Sequence, residues 1–233
     1  MNDLLHIDGL EFCIRRSNQR TTLGITVERD GSLVVRSPME LEDDKLIDYI
    51  RSKVLWVHTK LTEKRMLQDS KREREFVNGE GFYYLGRNHR LLIVPAVAGT
   101  PPIRLYAGRF QLRQDEVIHA TKNFVEWYTQ HGQVWLWNRT NNMARATGME
   151  FQGIEIMDLG HRWGSYSQNG FINFHWRVIL LPPRIIDYII LHELQHIREP
   201  HHNQRFWKYM RQVMPDYEQR KYWLALHGAA YDL

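Results

Sequence analysis

The stretch LHELQHIREPHHNQRFW, residues 191–207, carries four histidines and two glutamates. On a helix, His192 and His196 are four apart and stand one above the other, so both imidazoles can reach one ion. Glu193 projects about 100° round the axis from His192. This is the H-E-x-x-H pattern, in which two histidines hold zinc and the glutamate serves as general base. Zinc lowers the pKa of a bound water to about 7, and a neighbouring carboxylate can take its proton as the oxygen attacks a carbonyl. That chemistry makes Glu193 the candidate base. The bland alternative is a pair of core histidines bonded to backbone carbonyls.

A catalytic zinc takes three protein ligands and keeps a fourth position for water. Pro200 ends the helix and forces a turn, which leaves His201 and His202 where the returning chain can complete the sphere. Glu199 shares the face of the helical histidines, but it lies in line along the axis and closes a sphere poorly. Asn203 suits the N-cap of a following helix with an apolar face of Phe206, Trp207, Met210, Val213 and Met214, anchoring His202 just before a fixed helix start. His202 also lies six residues after His196, the third-ligand spacing of H-E-x-x-H-x-x-G-x-x-H enzymes, with Glu199 in the glycine position. His202 is the favoured third ligand.

Two elements must position these groups. Pro182-Pro183 opens a helix and Pro200 closes it, predicting residues 183–199, with Ile185, Ile189, His192 and His196 along one partly buried stripe. Before it, HRWGSYSQNGFINFHWR reads as a hairpin turning on Asn169-Gly170. A two-residue loop pairs Gln168 with Phe171, Tyr166 with Asn173 and Gly164 with His175. Together with Arg162, that polar and aromatic face suits a cleft, while Trp163, Ser165, Ser167, Ile172, Phe174 and Trp176 form the opposite face.

Elsewhere the first 110 residues read as β-rich around one long helix. Asp30-Gly31 marks a hairpin between LGITVE and SLVVRS, and Leu46, Ile50, Val54, Val57 and Leu61 predict a helix over 41–72. FYYLG and RLLIVP form a second hairpin turning through Arg87 and Asn88. PAVAGTPPI, residues 95–103, is the candidate boundary between lobes. Residues 115–148 read as a helix in two pieces broken near His131-Gly132, followed by the strand GIEIM. The fold class is α+β: a β-rich lobe over 1–110 with a long helix, then a lobe over 111–233 with the H-E-x-x-H helix beside a hairpin.

The chain has 233 residues, 43% of them hydrophobic, which allows a sizeable core. One cysteine, Cys13, cannot form an internal disulfide and removes thiolate clusters as metal ligands. The single thiol and the absence of a long apolar run or signal pattern lead us to expect a soluble, cytoplasmic protein with no membrane partner. A formal charge of +4 and a pI near 9.2 are mildly basic. The richest run, KLTEKRMLQDSKRERE at 60–75, mixes both signs and reads as a solvated helix face rather than a nucleic-acid patch.

Taken together, RWGSYSQNGFINFHWRVILLP and HELQHIREPHHNQRFW resemble the YgjP-like family of predicted zinc metallopeptidases, relatives of SprT-like and WLM proteases. IRRSNQRTTLGITVERDGSLVVRSP and FVNGEGFYYLGRNHRLLIV resemble that family's segments as well, so the likeness spans nearly the whole chain. The resemblance implies a zincin-like lobe with His192, His196 and His202 as ligands and Glu193 as base. The family commonly has cysteine in its R-W-G-S-C segment where this chain has Tyr166, whose phenol is a conceivable donor to a developing oxyanion. The leading expectation is a zinc-dependent hydrolase acting on peptide or protein substrates. The alternatives are a nucleic-acid-associated protease of SprT-like type and a non-catalytic, zinc-stabilised interaction module.

Overall fold

The structure, a computed structural model, describes residues 3–28, 31–69, 74–160 and 162–233. It is a mixed α+β fold in two compact units, Met1–Arg72 and Glu73–Leu233.

In the first unit, the strands β1 (Asp3–Ile7), β2 (Leu10–Ser17), β3 (Gly24–Val27) and β4 (Leu33–Pro38) form one sheet in the order β1-β2-β4-β3. The helix α1 (Asp43–Asp69) buries Leu46, Ile50 and Val57 with Phe12, Ile14, Leu33 and Val35 of the sheet. The apolar period read from the sequence therefore faces the core. β3 and β4 form the expected hairpin, with Gly31 at φ +89. Its other turn residue, Asp30, lies outside the described residues. The charged run at 60–75 continues α1 as far as Asp69, but residues 70–73 and the side chains of 62–69 also lie outside them.

The second unit opens on the sheet β5-β6-β8-β7, built from β5 (Gly81–Tyr84), β6 (Arg87–Val94), β7 (Ile103–Tyr106) and β8 (Arg109–Arg113). The β5–β6 turn falls at Leu85-Gly86, with φ +50 and +75, and not at Arg87-Asn88, which are paired strand residues. Two successive positive φ values make the tight turn that matches strand twist. The turn also docks: the amides of Leu85 and Gly86 donate to the carbonyls of Ile179 and Leu180 at 2.8 and 3.0 Å. This sheet thereby braces the segment that leads into the candidate site. Its Phe82 and Phe110 share one core with Phe124, Tyr128, Phe174 and Ile186, so residues 74–110 pack with the C-terminal elements, and 95–103 lies inside this unit.

The helix α2 (Ala120–Thr147) follows a short 3₁₀ turn and runs without a break through His131 and Gly132. Glycine costs an exposed helix interior about 1 kcal/mol relative to alanine, which motivated the expected break. Here Gly132 is buried, and a β-carbon on it would stand 3.1 Å from Cδ1 of Ile156, so the missing side chain lets α2 approach the neighbouring strand. That strand, β9 (Gly153–Met157), joins β10 (Gly164–Tyr166) and β11 (Phe171–His175) in a third sheet, ordered β10-β11-β9. The helices α3 (Pro183–Gln195), α4 (Gln204–Val213) and α5 (Tyr217–His227) complete the unit. Among the described residues, no helix is long and apolar enough to cross a membrane.

Candidate active site

The helix α3 begins at Pro183 and ends at Gln195, four residues earlier than its sequence expectation, with His196 as the helical C-cap. The backbone continues for one more turn, the Arg198 and Glu199 amides both donating to the Gln195 carbonyl. Ile185, Ile186, Ile189, Ile190 and Leu194 are all buried, so α3 is enclosed on several sides rather than lying on the surface. His192 and His196 are half-buried at its end, as the stripe predicted.

After Pro200 the chain reverses into α4. Asn203 caps it, its side-chain oxygen accepting from the amides of Arg205 and Phe206 at 2.9 and 3.1 Å. Phe206 and Met210 of the expected apolar face are buried, whereas Val213 is 42% exposed. The reversal returns His202 to the helix end: its Nε2 lies 2.8 Å from Nε2 of His192. One ring nitrogen from each of His192, His196 and His202 lies within 4.8 Å of the others. The fully buried ring of Phe206 supports all three imidazoles at 4.7–5.0 Å between centroids. Among the described residues, His201 and Glu199 take no part in this cluster. The Glu199 carboxylate instead accepts from the Asn203 amide at 2.9 Å.

The three nitrogens suit a metal. Nδ1 of His196 lies 3.2 Å from the Glu199 carbonyl, which makes it the N–H bearer and leaves the Nε2 lone pair for an ion. Burial lowers the proton affinity of all three rings, that of His192 to a pKa of about 3, so they are neutral at pH 7. Neutral imidazoles converging without thiolates are a donor set matched to zinc and similar divalent ions.

Glu193 is buried against the same cavity, of about 660 Å³, which the three histidines line. Burial pushes its carboxyl up to about 8, while the Arg162 guanidinium and the Tyr166 backbone N–H pull the other way. A carboxylate there does not lie on an open helix face, because β10 covers it. A β-carbon on Gly164 would stand 2.8 Å from Cγ and Oε1 of Glu193.

The hairpin that brings β10 here differs from its expectation by one residue. Gly164 pairs with Phe174, Ser165 with Asn173 and Tyr166 with Ile172. The amide of Ser167 donates to the carbonyl of Phe171, so the loop is the three residues Gln168, Asn169 and Gly170, with Gly170 at φ +82. This is the hairpin class with a left-handed glycine in third place. Because side chains alternate, the shift puts Gly164 and Tyr166 on the face of Ile172 and Phe174 rather than with Asn173 and His175. Asn173 instead reaches Ser165 at 3.4 Å, and His175 is buried against Asp158 and Arg177.

Tyr166 and Arg162 line the cavity, joined by Trp163, Tyr188 and Leu224. Tyr188 was not singled out from the sequence, although it lies one turn before His192 on the same face. Its ring centroid is 5.8 Å from that of His192, and burial raises its phenol to about 12. Gly164 likewise carries no local signal, since its role is a tertiary contact.

The family model of the YgjP-like metallopeptidase domain matches residues 21–227. The chain belongs to the YgjP-like family. That membership covers nearly the whole chain and makes the protein a member of a family of predicted metallopeptidases. No curated protein and no solved structure matches it. A YgjP-like metallopeptidase requires a metal ion, and His192, His196 and His202 are the group of described residues able to hold one.

Proposed function

We propose that this YgjP-like protein is a zinc-dependent peptidase of zincin-like arrangement, with His192, His196 and His202 as ligands and Glu193 as general base. The observation that carries it is the convergence of three neutral imidazoles on one point in the cavity that also holds a buried carboxyl. A bound zinc ion would supply Lewis acidity, polarising a substrate carbonyl and lowering the pKa of water.

The chain's own residues supply the rest. Burial alone keeps the Glu193 carboxyl protonated up to about pH 8, but a cation held by the three histidines would favour its ionised form, and as a carboxylate it accepts the proton of the attacking water and returns it to the departing amine. Gly164 and the backbone of β10 hold that carboxyl in place and keep bulk water from it. Tyr166 is a donor for the carbonyl oxygen as it gains charge. Tyr188 is a second, and its raised pKa keeps it protonated throughout. The apolar walls of Trp163, Ile189 and Leu224 accommodate side chains of an extended peptide.

The test pairs metal analysis with proteolysis of an unfolded protein by wild type and Glu193→Gln. About one zinc per chain in both, with cleavage lost by 10² to 10⁴-fold in the variant, is the expected result. Zinc-free protein from a zinc-replete preparation, or equal turnover in the two, would overturn the proposal.

A further inference from the structure

We infer that Trp207 is a positioning residue that holds His202 in its ligand conformation, an inference that rests on the zinc assignment above. His192 sits within α3 and His196 caps it, so the fold orients both through their helix. His202 has no such support: it is exposed and sits on the turn between Pro200 and α4. A ligand on a turn binds weakly unless something removes its freedom before the ion arrives.

Beside the packing of Phe206 against the ring, three contacts remove it. The indole Nε1 of Trp207 donates to the His202 carbonyl at 3.1 Å, fixing the peptide unit from which the side chain departs. The indole lies nearly parallel to the imidazole, at 22° with 5.6 Å between centroids, which limits rotation of the ring. On the N-terminal side the Asn203 amide donates to the His201 carbonyl at 2.8 Å, closing a tight turn with His202 at its centre.

Trp207 is itself held. It stacks on Tyr217 at 5.5 Å and 17°, and the Lys221 ammonium stands 4.5 Å from its ring centre. Its place on α4 follows from the Asn203 cap, which starts the helix so that Phe206 faces the imidazoles while Trp207 reaches back over the turn. The chain thus links α5 to the third ligand through one indole. Partners of this kind, which bond to a ligand residue and not to the metal, typically alter metal affinity by about 10 to 100-fold.

The test is zinc affinity, by competition with a chromophoric chelator, in the full chain of wild type, Trp207→Phe and Trp207→Leu. Cobalt(II) absorption and the melting temperature of each metal-free protein complete the measurement. Trp207→Phe keeps a ring and loses the donor, so it should bind zinc about 10-fold more weakly, with a weaker or broadened cobalt spectrum, while the metal-free protein still unfolds in one cooperative transition at a modestly lower melting temperature. Trp207→Leu should lose about 100-fold; should it fail to fold, the phenylalanine variant decides alone. Zinc affinity of Trp207→Phe within two-fold of wild type overturns the inference while leaving the zinc site standing. Wild-type protein that binds no zinc overturns both.

Discussion

Gly164 of β10 abuts Glu193 of α3 so closely that a β-carbon at position 164 would lie 2.8 Å from both Cγ and Oε1 of the carboxyl side chain. Sheet and helix therefore meet at the candidate base itself. Gly164→Ala should push the carboxyl out of its position without touching the imidazoles. We expect turnover to fall by 10²-fold or more with the zinc content unchanged, and stability to fall by about 1–3 kcal/mol from overpacking. Steady-state kinetics beside metal analysis would check it, and normal turnover would show that the base stands elsewhere.

The buried carboxyl also predicts a pH dependence in metal-free protein. Glu193 has a pKa of about 8 when folded against its ordinary 4.5, so between these limits the folded state binds more protons than the unfolded one. Its contribution is fully present below pH 4.5 and is lost as pH rises through 8. Relative to Glu193→Gln, wild type should thus lose stability between pH 5 and pH 9, by at most about 1.4 kcal/mol per pH unit. Titration of the neighbouring histidines cancels in that difference. Denaturant unfolding in chelator at three pH values measures it, and a constant difference would contradict the buried, protonated carboxyl.

The two adjacent histidines after Pro200 separate cleanly. His202 faces His192 at 2.8 Å, whereas His201 lies outside the cluster. His202→Ala should weaken zinc binding by more than about 100-fold, and His201→Ala by no more than a few-fold. Zinc titration of both variants checks the ranking, and the reverse order would reassign the third ligand.

Gly86 offers a test of the brace behind α3. It sits at φ +75, and an added β-carbon would meet Cα of Pro182, a backbone atom, at 2.8 Å. Gly86→Ala combines left-handed strain with that clash, and should cost about 2–4 kcal/mol and displace the start of α3. Chemical denaturation gives the cost. A loss below about 0.5 kcal/mol would mean that the hairpin yields without disturbing the helix.

Much of the site was legible in the sequence because its signals are local. The i, i+4 spacing of His192 and His196, the prolines bracketing α3 and the Asn203 cap each act within one or two turns of chain, and the structure shows the same helix start, reversal and cap. Tertiary contacts decided what local rules could not. Asn169-Gly170 announces a turn, but whether two or three residues form its loop depends on which face of β10 packs on α3, and that single step moved Tyr166 from the face of Asn173 to that of Ile172. Gly132 reads as a break until Ile156 occupies the space beside it, and Leu85-Gly86 outcompetes Arg87-Asn88 as a turn because it bonds to Ile179 and Leu180. Residue types and short spacings determine which groups can do chemistry. Long-range packing determines the register, the burial that raises Glu193 and the close approach at Gly164, because each depends on residues distant in sequence meeting within a few ångströms.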